Sequence, residues 1–246
     1  MDECDKLPES PGINNRILAF GDTHHPYSHK DSLAFLKKLK ELYNPTRIIH
    51  MGDEIDHHAM SFHDSDPNVP YTASSELHAA IRYLEGLYDL FPVCDVLDSN
   101  HGSMALRKAK VSGIPIEYLK PTREVLRAPN GWVWHHRLRL TLPTGNDCLF
   151  AHQMSANALT AAQKRACSLM LGHNHEKQGI QFWGAEENPF FAGHVGCLVD
   201  SRALAMAYRK ENANDVRLGA TLILNGMPMS VPMLLDKENR WVGRSK

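Results

Sequence analysis

Ser168-Leu169-Met170-Leu171-Gly172-His173-Asn174-His175 decides how this chain reads. An apolar run with strand character enters a glycine and then two histidines two positions apart. In extended backbone such positions share a side, so one strand end presents two imidazoles, an arrangement suited to a metal ion. In a chain with 15 histidines a lone pair of this kind means little. Its weight comes from four other stretches with the same grammar. Leu18-Ala19-Phe20 runs into Gly21-Asp22-Thr23-His24, and Ile48-Ile49-His50-Met51 into Gly52-Asp53-Glu54. Val96-Leu97-Asp98-Ser99 runs into Asn100-His101, and Cys148-Leu149-Phe150-Ala151 into His152. Each is an apolar strand ending in Asp, Asn or His, the side chains that ligate metals.

Around these strand ends the chain reads as α/β. Residues 16–20 form a strand, and residues 31–43 a helix with Leu33, Phe35, Leu36, Leu39 and Leu42 at helical spacing, Asp31 as N-cap and Pro45 as its stop. A second strand follows at 47–51. This βαβ unit favours a parallel sheet with ligands at the strand C-termini. Residues 57–72 lack periodicity and read as a long loop. A helix at 74–90 buries Leu77, Ile81, Leu84, Leu87 and Tyr88, and a third strand spans 93–98. Ser103 is placed to cap a short helix to Lys110, and 112–130 read as loops with a helical turn. Trp132 to Leu142 alternates like one half-buried strand, with a turn at 143–146 into a strand at 147–151. A helix at 156–166 precedes strands at 168–171, 179–183, 190–199, 220–224 and 231–235. Two sheets packed face to face with helices outside account for both halves. Residues 1–14 read as a flexible N-terminal arm and 15–246 as a single domain.

Composition narrows the class. At 246 residues, 43% hydrophobic and 22% charged, the chain is long enough for one sizeable core and has an ordinary globular profile. Its net charge of −1 carries no global signature of a nucleic-acid binder. The distribution is uneven: residues 1–100 hold 17 Asp/Glu against 8 Lys/Arg, whereas 101–140 hold 8 Lys/Arg against 2 Glu, which reads either as a locally basic face or as a solvated helix face. The five cysteines show no CxxC and lie mostly in apolar runs, which fits a reduced, cytoplasmic setting. The acidic start Met1-Asp2-Glu3-Cys4-Asp5 has no apolar signal-peptide region, and no apolar run approaches the ~20 residues of a membrane span, so no membrane partner is expected.

The ordered set Gly21-Asp22-Thr23-His24, Gly52-Asp53-Glu54-Ile55-Asp56, Ser99-Asn100-His101-Gly102, His152 and Gly172-His173-Asn174-His175 resembles the calcineurin-like metallophosphoesterases. The resemblance covers residues 16–175 closely. It implies a four-layer α/β/β/α sandwich with a two-metal site at the sheet edges. It further implies that Asp22, His24, Asp53 and His175 hold one metal, and that Asp53, Asn100, His152 and His173 hold the other, with Asp53 bridging. Two divalent ions so placed activate an attacking water and clamp phosphoryl oxygens. The mixed N/O ligands suit manganese, with iron, nickel or zinc as alternatives. His101 matches the residue that contacts the scissile phosphate and protonates the leaving oxygen; the competing role is support of a ligand from behind.

Two departures matter. The third motif usually begins with Gly and ends in an acid, but here Ser99 and Gly102 stand there, leaving Asp56 or Asp98 to orient His101. The second motif lacks the Asp-Arg-Gly continuation of protein Ser/Thr phosphatases. The block from Ser99 through Arg107-Lys108-Ala109 looks like the nuclease-like, phage-type branch. The resulting expectation is a phosphodiesterase acting on nucleic acid or nucleotides. Arg107, Lys108 and Lys110 would bind substrate phosphates in a salt-dependent way, and His57 and His58 are further candidate contacts. His25, His63 and His194 are weaker candidates. Trp132 and Trp134 read as sheet packing, and Met206 and Tyr208 as core. A small-molecule enzyme, either a cyclic-nucleotide phosphodiesterase or a phosphomonoesterase, is one alternative. A non-catalytic, metal-binding interaction scaffold is the other.

Overall fold

Strands and helices alternate through the first half of the chain, and strands dominate the second. The structure, a computed structural model, describes residues 5–6, 15–62, 70–203 and 216–243. In chain order the elements are β1 (Asp5–Lys6), β2 (Arg16–Phe20), α1 (Ser32–Tyr43), β3 (Arg47–His50), α2 (Ala73–Leu90), β4 (Val93–Leu97), α3 (Met104–Val111), α4 (Thr122–Val125), β5 (Gly131–His135), β6 (Leu138–Thr141), β7 (Asp147–Ala151), α5 (Ala158–Arg165), β8 (Ser168–Leu171), β9 (Gln178–Ala185), β10 (Asn188–Val195), β11 (Gly219–Leu224) and β12 (Met227–Pro232).

These build two mixed six-stranded sheets, in the orders β12-β11-β2-β3-β4-β5 and β1-β6-β7-β8-β10-β9. In the first, β2 to β5 run parallel, and β11 returns antiparallel beside β2. In the second, β7, β8 and β10 are parallel, flanked by antiparallel β6 and β9. Strand periodicity sends alternate residues to opposite faces, and three apolar clusters follow from it. Ile17, Ala19, Ile49 and Leu97 of the first sheet pack with Leu138, Phe150, Met170 and Val195 of the second. Leu18, Phe20 and Val96, on the other face of the first sheet, meet Phe35, Leu36 and Leu39 of α1 and Ala80, Leu84 and Leu87 of α2. Leu149, Leu169 and Ala192 meet Ala158, Ala161 and Ala162 of α5.

Several expectations change in detail. The single strand over 132–142 is two strands in different sheets. β5 ends the first sheet against β4, and after His136 and Arg137 the chain re-enters as β6 against β7. Apolar residues at Trp132, Trp134, Leu138, Leu140 and Leu142 keep one phase in the sequence and hide the crossing, although His136 in that phase is exposed and His135 is buried. Trp132 is buried and donates its indole N–H to the Phe91 carbonyl at 2.8 Å. β1 pairs with β6 at the sheet edge, while the rest of 1–14, His63, Met206 and Tyr208 lie outside the described residues. Thr72 caps α2 reciprocally with Ser75, and Asn157 caps α5 through the Thr160 N–H at 3.0 Å. Ser103 makes no capping bond; its hydroxyl faces the Asn100 carbonyl at 3.4 Å.

Asp31 does not cap α1 either. Its carboxylate accepts from Arg240 Nε at 2.9 Å, Arg240 Nη2 at 2.7 Å and the Trp241 N–H at 2.8 Å, tying residues 240–241 to the start of α1. The indole of Trp241 then packs edge-on against Phe35. The Arg240 guanidinium holds the Asp31 carboxyl down to about 2, against an ordinary 3.8. A depressed carboxyl stabilises the fold above its unfolded value and loses that contribution as pH falls through its folded one. The expected result is that Asp31→Asn melts below the parent protein at pH 7, and that the gap closes as pH falls from about 4 toward 2. Thermal melts across that range check it; a gap constant down to pH 2 would contradict the ion-pair account.

Candidate metal centre

The loops after β2 and β3 continue the ladder of their strands. Asp22 N–H donates to the Gly52 carbonyl at 2.9 Å, His24 N–H to Asp53 at 2.9 Å and His25 N–H to Glu54 at 3.1 Å. This pairing holds Asp22, His24 and Asp53 in the left-handed region, at φ of 49°, 46° and 52°. Each such residue costs about 1–3 kcal/mol and persists only where its surroundings enforce it. Gly52 (φ 97°) has no room for a side chain, since a Cβ there would lie 2.7 Å from Ser99 Cβ and 2.9 Å from His152 Nδ1. The second sheet joins through His173, also left-handed at φ 65°, whose N–H reaches both Asp22 carboxylate oxygens at 3.0 and 3.1 Å.

The strand ends thus bring Asp22, His24, Asp53 and His175 into one group, and Asp53, His152 and His173 into a second that shares Asp53. Asn100 joins the second group through Oδ1, 2.8 Å from His152 Nε2. A further group, His24, Asp56 and His101, adjoins both. All but Asn100, His101 and His173 are buried.

The donor chemistry tests whether metal ions fit. His152 donates Nδ1–H to the Met51 carbonyl at 2.8 Å, so its neutral ring leaves Nε2 as a bare lone pair. That lone pair faces Asn100 Oδ1 at 2.8 Å and Asp53 Oδ2 at 3.3 Å. His24 donates Nδ1–H to Asp56 Oδ1 at 2.6 Å, and its Nε2 faces His175 Nε2 at 3.0 Å and Asp53 Oδ2 at 3.4 Å. Asp22 Oδ1 is 3.4 Å from His175 Nε2. Acceptors crowd against acceptors at two points that share one carboxylate. A cation at each point resolves the conflict, and an all-Asp/His/Asn set suits first-row divalent ions. The residues therefore fit two metals.

Without metal, protons must do the neutralising. Burial penalises the imidazolium of His152, but the Asp53 carboxylate outweighs it and pushes His152 up to about 9. Burial likewise opposes charge on His24, yet Asp56 and Asp53 raise it. Burial would raise Asp53, but His152 and His24 hold it well below the usual carboxylate range. His50, behind the site, is fully buried and pushed down to about 4. It stays neutral, accepting the Gly52 N–H at Nδ1 (3.2 Å) and facing the Thr23 hydroxyl (3.3 Å).

His101 lines the pocket beside Asp53 and His175. Its backbone N–H donates to Asp53 Oδ1 at 3.1 Å, and its Nδ1–H bonds the Asp56 carbonyl, leaving Nε2 as the other ring nitrogen. Asp56 Oδ1 lies 3.5 Å from Nδ1, so Asp56, not Asp98, stands beside this ring; Asp98 is half exposed near His136. Of the expected substrate contacts, His57 donates Nδ1–H to the His101 carbonyl at 2.9 Å, supporting the loop. His58 lines the pocket, and its backbone N–H donates to Glu76 at 2.7 Å. Arg107 Nη2 donates to the Asn100 carbonyl at 2.6 Å. Lys108 lies over the Phe62 ring and Lys110 is exposed on α3.

A cavity of about 800 Å³ adjoins this pocket and shares Asn100 and Arg107 with it. His152 reaches its wall, Leu77 and Val125 give it apolar sides, and Trp134 lines it with an indole that donates to Glu54 Oε1 at 3.2 Å. Burial pushes Glu54 up to about 7. Neither Glu54 nor Phe62 was singled out by sequence. Glu54 has one signal, a charged residue between two motif positions; Phe62 has none, being a lone aromatic in a polar loop.

No protein-family description matches the chain, and no curated protein matches it in sequence. Among solved structures it is similar to vacuolar protein sorting 29 from Cryptosporidium parvum, with a TM-score of 0.44 and 13% identity over 88% of this chain and 86% of that one. Among the described residues, no helix is long and apolar enough to cross a membrane.

A metal ion bound at His152 would displace the proton that this ring, pushed up to about 9, otherwise holds. Apparent affinity for a divalent ion therefore rises with pH, by roughly tenfold per unit for each proton displaced. Calorimetric titration of the metal-free protein with Mn²⁺ in buffers of different ionisation enthalpy counts that proton. Uptake that releases none between pH 6.5 and 8.5 contradicts the geometry above.

Proposed function

We propose that this chain is a binuclear metal-dependent phosphodiesterase of the calcineurin-like metallophosphoesterase superfamily, built as a four-layer α/β/β/α sandwich and acting on nucleic acid. The observation that carries the reading is the gathering of acceptor atoms from four other strand ends around the single carboxylate of Asp53. The three apolar clusters support the layer order. The block Ser99-Asn100-His101-Gly102-Ser103 with Arg107-Lys108-Ala109 supports the nuclease-like, phage-type branch. Cys94 and Cys148, buried in apolar strands, suit a reducing cytoplasm.

In this reading Asp22, His24, Asp53 and His175 hold one divalent ion, and Asp53, Asn100, His152 and His173 the other, manganese first among the candidates. When bound, the ions activate water and neutralise phosphoryl charge. The chain's residues do the rest. His101, fixed through Nδ1 by the Asp56 carbonyl, offers Nε2 as the group that protonates the leaving oxygen. His57 steadies the loop by binding the His101 carbonyl. Arg107, Lys108 and Lys110 supply positive charge beside the pocket for flanking phosphates. The adjoining cavity favours a diester over a monoester, because it gives the phosphorus a second, bulky substituent somewhere to lie.

A metal-by-substrate panel tests this: Mn²⁺, Fe²⁺, Ni²⁺ and Zn²⁺ against bis-p-nitrophenyl phosphate, p-nitrophenyl phosphate, cyclic nucleotides and DNA or RNA strands. The expected result is turnover of diesters and polynucleotides, lost with bound metal in Asp53→Asn. Turnover of monoesters or cyclic nucleotides alone would move the protein to a small-molecule enzyme, and two bound ions without turnover would make it a scaffold. His101→Ala should lower turnover by roughly 10²–10⁴-fold, the usual contribution of a general acid, with metal content unchanged. Loss of metal in that variant would make His101 a ligand instead.

A further inference from the structure

Phe62 stands at the lip of the pocket that contains Asp53, Asn100 and His173. It is 51% exposed, and Ser61 beside it also lines the pocket. Single exposed apolar residues are ordinary; the company of this one is not. The Arg107 guanidinium lies 5.3 Å from the ring centroid and Lys108 Nζ 4.9 Å from it. Two neighbouring cations of α3 converge on one ring within reach of a site built for a phosphoryl group. The ring quadrupole attracts each cation, but the cations repel one another, and an anion between them would relieve that. Arg107 is also held in place, since it donates to the carbonyl of Asn100 at 2.6 Å. A half-exposed aromatic ring with cations held against it is the combination that holds single-stranded nucleic acid, the ring stacking a base and the cations moving onto the backbone. Bases inside a duplex are stacked on one another and present only their edges; an unpaired base presents its face.

We propose that Phe62 is a stacking platform for the base next to the scissile phosphate, with Arg107 and Lys108 on the flanking phosphate, so that unpaired strands are the substrate class. This rests on the phosphodiesterase reading above. Both α3 cations and the ring act as one unit: the cations place the backbone, and the ring selects a flat group at one position along it.

The test removes the ring and the base separately. Thymidine dinucleotides carrying both bases, or an abasic sugar on the 5′ or the 3′ side, are assayed with Mn²⁺-loaded parent protein and the Phe62→Ala, Phe62→Leu and Phe62→Trp variants. Deleting the base on one side should cost the parent about tenfold in kcat/KM, mostly through KM, for a stacked base. Phe62→Ala should lose about as much on the intact dinucleotide and be indifferent to deletion of that base. Phe62→Leu, with apolar bulk but no ring, should behave like Phe62→Ala, whereas Phe62→Trp keeps the parent's preference. The added indole gives a second readout, with emission quenched by oligothymidylate and not by its abasic counterpart. Because Phe62 is exposed, these variants should keep the parent's melting temperature.

An abasic penalty of equal size in the parent and Phe62→Ala overturns the platform, as does the absence of any penalty in the parent. Cleavage of a hairpin duplex as fast as of an unpaired strand does the same. Parent protein that hydrolyses bis-p-nitrophenyl phosphate but no dinucleotide overturns the platform while leaving the phosphodiesterase reading standing. Parent protein inert toward every diester with two metals bound overturns both.

Discussion

A carboxylate sealed from water organises this protein. Asp53 is 1% exposed, and an isolated buried charge costs several kcal/mol. Its two oxygens are met from three separate loops. Oδ1 takes the backbone N–H of His101, Oδ2 faces the rings of His24 and His152, and Asn100 reaches the same point through His152. These residues follow three strands, β2 and β4 of one sheet and β7 of the other. The sheets are thus fixed relative to one another at their edges as well as through the apolar cluster between them. Losing the charge on Asp53 would leave two buried imidazoles without the carboxylate that raises them.

The geometry around that charge depends on backbone conformations that local preference resists. Asp22, His24, Asp53 and His173 all have positive φ. At a cost of about 1–3 kcal/mol each, the four together represent a large share of a typical domain's net stability of ~5–15 kcal/mol. What enforces them is visible in the hydrogen bonds that extend the β2–β3 ladder past the strands, and in the double contact of the His173 N–H with Asp22. Among the described residues, no non-glycine position with positive φ lies inside a strand, and four of the ten such positions sit at these strand ends. The same preorganisation keeps the acceptor atoms close when only protons are there to separate them.

The sequence made the strand ends legible because polar, ligand-type residues at the end of an apolar run have no packing reason to be there. Gly52-Asp53, Asn100-His101 and Gly172-His173-Asn174-His175 announce themselves this way. What stayed hidden depends on long-range partners or on unbroken patterns. The passage from one sheet to the other at His136 and Arg137 lies inside an alternation from Trp132 to Leu142 that only His136 interrupts, so period alone reads one strand. Asp31 has the residue type of an N-cap, but Arg240, over two hundred positions away, takes its carboxylate. Between Asp56 and Asp98, both offered by the sequence as the neighbour of His101, only the fold decides, and Phe62 near Arg107 is a meeting that no local spacing announces.

The return of β11 beside β2 has a consequence for biosynthesis. β2 leads into Asp22 and His24, yet one of its two flanks is covered only by residues 219–224 from near the far end of the chain. Until those residues have left the ribosome, β2 is an edge strand with the apolar sequence Ile17-Leu18-Ala19-Phe20 and open backbone donors and acceptors. Such an edge is a template for pairing with another chain. Between synthesis of β2 and arrival of β11 that edge is open to pairing with another chain, and shortened products ending before residue 219 would keep it open.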